Sequence, residues 1–260
     1  MLNEEFFNDV HKKAKGLKYN SMNYVCFDDC KNADVVCNDD DLVLLKDMGE
    51  TPAMIYFAAD DFGRVIEHLR DMPGELRLHF VPKEYVWQLA ELGFVEWGEY
   101  VDFWNRDLVN AASQIDNADS PEYLGIGECE EASMVSQKCK LQSRGFEGET
   151  PEWFADWLKE NKVIIVRKNT MIAGFCCVSI YGEGTTLWIR KIAIDPVCQG
   201  LGLGKILMEQ AIKYGVKNGA ARGFLSADIL NKNAIGLYNK YGFNTEGADS
   251  ELQMIRAVSF

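Results

Sequence analysis

The sequence predicts an α/β protein in which a mixed β-sheet is flanked by helices, with a divergent second copy of this domain at the amino terminus. Three observations predict this fold class. In the second half, consecutive apolar runs are followed by a helix, a strand and a further helix, which is the order of a crossover onto a sheet. The first half repeats this order in a weaker form, and 260 residues suffice for two hydrophobic cores.

The second half contains the clearer pattern. ASMVSQKCKLQ and PEWFADWLKE have helical periodicity, the latter with Pro151 in its first turn, and three apolar runs predict strands: KVIIVRK, MIAGFCCVSIYG and TTLWIRKIAI. A glycine-rich stretch then precedes a helix with an apolar stripe. The chain closes with a strand, a short helix and a hairpin, in RGFLSADI, NAIGLYNKY and the segment ending at Phe260.

The first half has strands in DLVLLKD and AMIYFAA, a helix in DFGRVIEHLRDM, a strand in ELRLHFV, a helix in PKEYVWQLAEL and a hairpin in GFVEWGEYVDFWNRDL. A shift of 149 positions places Leu89–Gly98 on Tyr238–Gly247, with Gly93, Phe94 and Gly98 on identical residue types. We interpret this match as a tandem repeat. Because the match is short, coincidence is the alternative.

A linker is predicted between the halves. The stretch from Leu108 to Tyr123 contains small and polar residues without a sustained hydrophobic period, and includes Pro121 near its end. We therefore expect one domain over residues 1–110 and another over residues 120–260.

Charge and hydropathy exclude several partners. Residues 1–119 carry 24 acidic and 11 basic side chains and residues 120–260 carry 16 of each, so the net charge of −13 arises in the first half. This charge opposes nucleic-acid binding. No apolar run approaches the roughly 18 residues of a membrane span, and the amino terminus is acidic where a signal peptide would be basic. We expect a cytoplasmic protein without a membrane partner.

The eight cysteines show no paired spacing, which favours free and mostly buried thiols and predicts no metal site. Zinc binding by Cys26, Cys30 and Cys37 is the weaker alternative. These residues lack CxxC spacing and a nearby fourth ligand.

Gly200, Gly202 and Gly204 directly precede an amphipathic helix. Their bare backbone allows N–H groups to converge on an anion, and the helix dipole adds to the attraction. A Walker loop would need other residues at Gln199 and Ile206, and a dinucleotide-binding fingerprint lacks its third glycine. The stretch predicts a pyrophosphate site, with a simple glycine-rich helix cap as the alternative.

These residues resemble the acetyl-CoA signature of the GNAT superfamily of N-acetyltransferases. A strand ending in IAIDP precedes a Q-x-x-G-x-G arrangement that begins at Gln199. Downstream, Asn231 and Ala234 form N-x-x-A, and LYNKYGF resembles the closing motif of the family. The resemblance covers residues from about 123 to 260, and the first half only in outline.

The resemblance implies acetyl-CoA as cosubstrate, in a wedge where the fourth strand splays from the fifth. The backbone of Ile192–Ile194 would pair with the pantetheine amides, and the loop from Gln199 to Lys205 would bind the pyrophosphate. Lys191 is a further candidate for the phosphates. The predicted cofactor residues are Ile192, Ala193, Ile194, Gln199, Gly200, Leu201, Gly202, Leu203, Gly204, Lys205 and Asn231.

Tyr238 matches the tyrosine of the family and is predicted to be the general acid that protonates the leaving thiolate. A phenol with a pKa near 10 stays protonated at neutral pH, which suits this role. A core tyrosine is the alternative. The resemblance also implies that a backbone N–H near Ile192 stabilises the oxyanion. No general base is assigned, because Trp188 stands where many relatives have glutamate, and the nearby carboxylates are as typical of surface charges: Glu183, Asp228, Glu147 and Glu149.

The implied function is direct transfer of an acetyl group from acetyl-CoA to a small-molecule or peptide amine by residues 120–260. A non-catalytic acyl-CoA sensor with a protein partner and a transferase of another acyl group are the alternatives. Residues 1–110 have a single Gly63 where the cofactor loop should be. We expect this GNAT-like copy to be degenerate, and to form one wall of the acceptor cleft or to stabilise its partner. Its charge favours a cationic acceptor by steering, although solubility explains an acidic surface equally well.

Overall fold

A computed structural model describes residues 2–49, 51–116, 120–140, 142–247 and 249–257 of the chain. Its helices are α1 (Glu4–Ala14), α2 (Phe27–Cys30), α3 (Phe62–Asp71), α4 (Val86–Glu91), α5 (Leu108–Ser113), α6 (Cys129–Lys138), α7 (Pro151–Trp157), α8 (Leu203–Lys217) and α9 (Lys232–Lys240). Its strands are β1 (Tyr19–Asn20), β2 (Ala33–Asn38), β3 (Leu42–Asp47), β4 (Ala53–Ala59), β5 (Leu76–Leu78), β6 (Val95–Asn105), β7 (Glu122–Tyr123), β8 (Lys162–Lys168), β9 (Met171–Tyr181), β10 (Thr186–Ile194), β11 (Arg222–Asp228) and β12 (Glu251–Arg256).

The chain divides into two compact units. The first comprises Met1–Glu99 together with Glu251–Phe260, and the second comprises Tyr100–Ser250. The boundary lies inside β6, upstream of the boundary expected between residues 110 and 120. The division differs from the expected one because β12, at the end of the chain, pairs with β5 of the first unit.

The first unit contains strands in the order β2-β3-β4-β5-β12. The strands pair antiparallel except β4 and β5, which are parallel. Side chains of β3 alternate between two apolar clusters because successive strand residues point to opposite faces. Leu42 and Leu44 belong to the cluster that includes residues of α3, whereas Val43 and Leu45 belong to the cluster that includes residues of α1.

The second unit has the order β7-β8-β9-β10-β11, and the second half of β6 pairs with β11. Here too the pairs are antiparallel except one, β10 with β11. The side chains of β8 alternate in the same way. Ile164 and Val166 belong to the cluster that includes residues of α8, whereas Val163 and Ile165 belong to the cluster that includes residues of α6 and α7.

The backbone reproduces the 149-residue repeat of the sequence. The N–H of Phe94 donates to the carbonyl of Leu89 at 3.1 Å, and the N–H of Phe243 donates to the carbonyl of Tyr238, also at 3.1 Å. The glycine before each phenylalanine has a positive φ, of 82° and 75° respectively. Both helices therefore end in the same left-handed turn, and both phenylalanines are buried.

Each unit is completed by a strand from the other half of the sequence. In the first unit, β12 pairs with β5, with Met254 opposite Leu78. In the second unit, the Tyr100–Asn105 part of β6 pairs with β11, from Asn105 opposite Gly223 to Tyr100 opposite Asp228. The two copies have thus exchanged their closing strands.

Three local predictions differ from the structure. The predicted linker begins with α5, because Leu108 and Ala111 are buried in a cluster with residues of α8, and it ends in β7, while residues 117–119 lie outside the described residues. The predicted hairpin after α4 is the single strand β6, in which Gly98 is buried without a turn. The predicted final hairpin is likewise one strand, β12, whose partner is β5.

The cysteines are free thiols, and all except Cys26 and Cys37 are buried, as predicted. Within the described ranges, no three His, Cys, Asp or Glu side chains gather as metal ligands. None of the helices in those ranges is sufficiently long and apolar to cross a membrane.

Candidate active site

A cleft of about 740 Å³ lies in the second unit where β10 and β11 separate. The strands pair in parallel over three residues, the last of them Trp188 opposite Phe224. Beyond this point, the pairing of β10 with β9 has a bulge between Ile189 and Lys191. A bulge bends a strand and increases its twist. The bend fits the divergence of β10 from β11 and the wedge between them that the resemblance implies.

The free edge of β10 forms one wall of this cleft. Ile192, Ala193 and Ile194 pair with β9 along one edge of the strand, and all three line the cleft. No described strand pairs with the other edge of these residues. Such an edge offers N–H and C=O groups to an extended amide chain. It is therefore suited to the pantetheine contact expected of these residues.

Side chains anchor the loop that follows β10. Asp195 is buried and accepts a hydrogen bond from the Lys138 ammonium at 2.6 Å. The side-chain amide of Gln199 donates to the Gln142 side chain at 2.9 Å and to the carbonyl of Ile194 at 3.2 Å. These contacts fix the entry to the glycine stretch and bring Gln199 into the lining of the cleft.

Two of the three glycines adopt a left-handed conformation, with φ of +77° at Gly200 and +79° at Gly202. Gly202 is the N-cap of α8 and supplies no side-chain cap. A helix leaves its first N–H groups without intrahelical partners, and its dipole attracts anions there. Gly204 differs, since a Cβ there would make an ordinary contact with Leu237 at 3.6 Å. The loop thus combines two conformationally required glycines with an uncapped helix start.

All predicted cofactor residues except Leu201 line the cleft. Leu201 lies within the glycine stretch, and its side chain is exposed. The Lys205 ammonium lies 3.4 Å from the carboxylate of Glu209 one helical turn away, and the Lys205 side chain is about half exposed. Lys205 therefore keeps a solvent-accessible charge beside the loop.

Asn231 is the N-cap of α9 and also lines the cleft. Its side-chain oxygen accepts a hydrogen bond from the N–H of Ala234 at 3.2 Å. The N-x-x-A motif is therefore a capping contact in this structure. It fixes the start of the helix that carries Tyr238.

Tyr238 is only 5% exposed and lines the cleft from α9. Its ring packs edge-on against Phe103, with 6.1 Å between ring centres. Burial, with a smaller contribution from Cys176, raises the pKa of Tyr238 well above its usual range. Among the described residues, none forms a hydrogen bond with its hydroxyl. The phenol is thus a protonated group without an internal partner.

Asp228 is the carboxylate that lines the cleft, and it is engaged by several donors. The Arg144 guanidinium donates to its two oxygens at 2.9 and 3.2 Å, and the N–H of Leu230 donates at 2.7 Å. The hydroxyl of Tyr100 in turn donates to the carbonyl of Arg144 at 2.8 Å. This bidentate pair joins the segment after α6 to the end of β11.

The remaining base candidates lie outside the lining of the cleft. Glu149 forms an ion pair with Lys191, so the Lys191 charge already has a carboxylate partner. Glu183 lies in the turn before β10, and Glu147 lies in the segment before α7. Trp188 packs against Trp157, with 6.1 Å between ring centres.

Two arginines of the cleft, Arg144 and Arg190, were not among the predicted residues. Arg144 is 84 positions from Asp228, and nothing in the sequence joins them. Arg190 lies at the bulge of β10, which shifts the alternation of side chains. The sequence offers one signal for an aromatic surface in this region: Trp153 and Trp157 are four positions apart, and residues at this spacing share a helix face.

Residues 130–243 match the model of the acetyltransferase (GNAT) family. The streptothricin acetyltransferase of Streptomyces lavendulae is 35% identical over 81 residues, which are 31% of this chain and 43% of the relative. The [ribosomal protein bS18]-alanine N-acetyltransferase of Escherichia coli K12 is 36% identical over 77 residues, which are 30% of this chain and 51% of the relative. The chain spans about half or less of the length of these relatives.

Two solved structures resemble a larger part of the chain. A tandem GNAT protein from the clavulanic acid biosynthesis pathway has a TM-score of 0.53 at 12% identity, with 85% of this chain and 80% of that chain covered. A conserved protein of unknown function from Staphylococcus epidermidis has a TM-score of 0.60 at 13% identity, with 92% and 100% covered. At these identities the likeness shows the fold alone, and it extends beyond the carboxyl-terminal half.

Proposed function

Residues 130–243 belong to the GNAT acetyltransferase family, and on this premise we propose that the protein transfers the acetyl group of acetyl-CoA to an amine. The observation that carries the proposal is the open wedge between β10 and β11. Its free strand edge leads directly to two left-handed glycines and an uncapped helix start. These features match the three parts of CoA near its thioester: the acyl end, the amide arm and the diphosphate.

The main chain from Gly200 to the first turn of α8 would hold the diphosphate, with Lys205 adding charge. Ile192–Ile194 would pair with the pantetheine amides. Because the glycine loop follows β10, the pantetheine arm would run back along this strand towards the splay point, the place where β10 and β11 separate. The thioester, which supplies the activated acetyl group, would then lie near Ile189–Ile192, where a backbone N–H meets the developing oxyanion.

Tyr238 would return a proton to the sulfur of the leaving thiolate. Its raised pKa keeps the phenol protonated across the neutral range, and its hydroxyl has no hydrogen-bond partner among the described residues. A thiol has a pKa near 8.5, so transfer from a phenol of higher pKa is uphill, and the phenolate would recover its proton from the acetylated nitrogen. The role is therefore general acid catalysis at one atom.

The incoming amine must lose a proton, and we assign no carboxylate to this step. Asp228 is held by Arg144, and Glu149 is paired with Lys191. Each of these carboxylates therefore already faces a cationic partner. We propose that the amine enters in its neutral form or loses its proton through water.

The acceptor would be a small-molecule or peptide amine. The relatives named for streptothricin and for an alanine of a ribosomal protein represent these two classes. The charge of −13 would favour the approach of a protonated amino group by long-range steering, whatever other groups the acceptor carries. This effect weakens over distances beyond about 8 Å at physiological salt.

Calorimetry with acetyl-CoA, followed by thiol release with a panel of amines, tests the proposal. We expect binding of one acetyl-CoA and amine-dependent release of CoA. Binding without release by any amine would instead favour an acyl-CoA sensor. Failure to bind at millimolar excess would overturn both functions. The same assay with longer acyl-CoA thioesters tests the third function. Faster CoA release from a longer acyl chain than from acetyl-CoA would identify a transferase of another acyl group.

A further inference from the structure

Arg190 is the residue left unpaired by the bulge of β10, and it lies against an aromatic surface. Its guanidinium carbon is 5.6, 5.3 and 5.1 Å from the ring centres of Trp153, Trp157 and Trp188. The rings of Trp153 and Trp157 are stacked 5.6 Å apart and nearly parallel. All three distances lie within cation–π range. The indoles therefore hold the guanidinium at a defined place.

This guanidinium has no carboxylate partner among the residues that the structure describes. The other cations of the cleft lining do have one. Arg144, Lys191 and Lys205 lie, respectively, against Asp228, Glu149 and Glu209. The exposed Arg190 thus adds a positive charge that no described carboxylate balances.

A guanidinium that rests on indole rings keeps N–H groups at its edge available for an anion. Two of these groups match the two oxygens of a carboxylate. A cationic group at this place would have to approach a like charge or displace Arg190 from the indoles. The local arrangement therefore favours an anionic group.

We propose that Arg190 binds a carboxylate of the acceptor, so that the preferred acceptor is an amino carboxylate such as an amino acid. This inference rests on the proposed acetyl transfer and names the substrate class of that site. Arg190 lines the cleft one residue after Ile189, near the splay point to which the CoA arm would lead. A carboxylate bound there places an amine a few bonds away within reach of the thioester.

Matched acceptor pairs test this proposal. Each amino acid is compared with its carboxamide, which keeps the amine and removes the negative charge. We expect kcat/KM to be at least about tenfold higher for the carboxylate, corresponding to about 1.4 kcal/mol. The amine of the amide is less basic and more often neutral, so its chemistry opposes this result. Equal rates, or faster rates with amides, would overturn the carboxylate contact while leaving acetyl transfer established.

The variants Arg190→Met and Arg190→Lys assign the effect to the side chain. Arg190→Met should raise the KM for amino acids about tenfold, leave the KM for carboxamides unchanged and leave CoA affinity unchanged by calorimetry. Arg190→Lys should recover part of the loss because it keeps the charge without the planar fork. Lys168→Met, at the exposed end of β8, is the control for loss of one positive charge.

A second measurement does not depend on turnover. Calorimetry of an amino acid with the CoA-bound protein should show binding that Arg190→Met weakens and that Lys168→Met does not. A loss of amino-acid binding that is equal in the two variants would overturn the role of Arg190. If no amine is acetylated although CoA binds, the proposed transferase function fails and the acceptor assignment fails with it.

Discussion

In the first unit, β4 and β5 correspond to β10 and β11 of the second, and they also pair in parallel over three residues. The space beyond this pairing differs between the units. In the first, β1 pairs with the continuing edge of β4, with Tyr19 opposite Ala59 and Asn20 opposite Ala58. In the second, Ile192–Ile194 line an open cleft. The first wedge is filled by the chain itself, at the edge where the second would hold a pantetheine arm.

The helices after these strands differ in the same sense. At the start of α3, the carboxylate of Asp61 accepts a hydrogen bond from the N–H of Gly63 at 2.8 Å. At the start of α8, Gly202 provides no such cap. A carboxylate at a helix start occupies the place of an external anion. We propose that a two-residue strand and a single capping side chain decide whether this fold admits a nucleotide thioester.

The largest expected effect concerns which segments complete the second unit. A fragment of residues 120–260 lacks Tyr100–Asn105, which pairs with β11, and also lacks α5, which packs with residues of α8. We expect it to show no cooperative unfolding transition in circular dichroism. A fragment of residues 100–250 contains every strand of the second unit and should unfold cooperatively and bind CoA. Equal behaviour of the two fragments would contradict the exchange of closing strands.

The next effect tests the anion site formed by the glycine loop and the start of α8. Gly202→Leu should weaken CoA binding at least about 100-fold, or about 2.7 kcal/mol, because the side chain occupies the anion site and the backbone resists a positive φ. The control is Gly184→Leu in the turn before β10. Gly184 has a φ of +82° and equally open surroundings. The Gly184→Leu variant should lose stability without losing CoA affinity. Comparable losses of CoA affinity in the two variants would contradict the assignment of the glycine loop as the diphosphate site.

Tyr238→Phe should lower kcat about 10²- to 10⁴-fold while CoA affinity stays unchanged, as expected for loss of a general acid. Tyr241→Phe is the matched control, because the Tyr241 hydroxyl donates to Glu209 at 2.7 Å and lies outside the cleft lining. Steady-state kinetics and calorimetry separate the two effects. A similar kcat for wild type and Tyr238→Phe would leave Tyr238 as a core residue.

The pH dependence follows from the raised pKa of Tyr238. A group whose pKa is raised stays protonated to higher pH, so a general acid of this kind remains active above pH 10, where an ordinary tyrosine begins to ionise. The pH profile of kcat should therefore show no decline due to this group near pH 10. A decline centred at pH 10 that disappears in Tyr238→Phe would contradict the effect of burial.

The smallest effect concerns the first unit. Asp61→Ala should reduce the free energy of unfolding by about 1 kcal/mol through loss of a helix cap, without adding a second CoA site, because β1 still occupies the wedge. Asp107→Ala removes the corresponding cap of α5 and should have a similar cost. Urea denaturation measures both losses. A stoichiometry of two CoA per chain in Asp61→Ala would show that the cap alone closes the first unit.

The sequence predicts features that depend on local conformation. Left-handed glycines, an amphipathic helix and alternating strand residues are encoded within a few positions. The sequence therefore predicts the glycine loop from Gly200 and the order of elements in the second unit. The sequence predicts the repeat for the same reason, because the turns that end the helices before Phe94 and Phe243 are formed by neighbouring residues.

Pairing between distant segments is less predictable. The alternation within β6 and β12 specifies which faces are buried but leaves open which strand lies beside each, so the sequence does not predict the exchange. The same holds for β1 on β4 and for the ion pair of Arg144 with Asp228. The orientation of Arg190 depends on a bulge, which has no sequence signature here.

The exchanged closing strands also bear on why the first copy, which lacks the glycine loop, is retained. After a duplication in which each copy keeps its own last strand, the copy without a ligand is dispensable and can be deleted. Once β6 and β12 serve the opposite copies, deletion of either half removes part of the other's sheet. Selection for the function of the second unit would then be sufficient to retain the first half of the sequence.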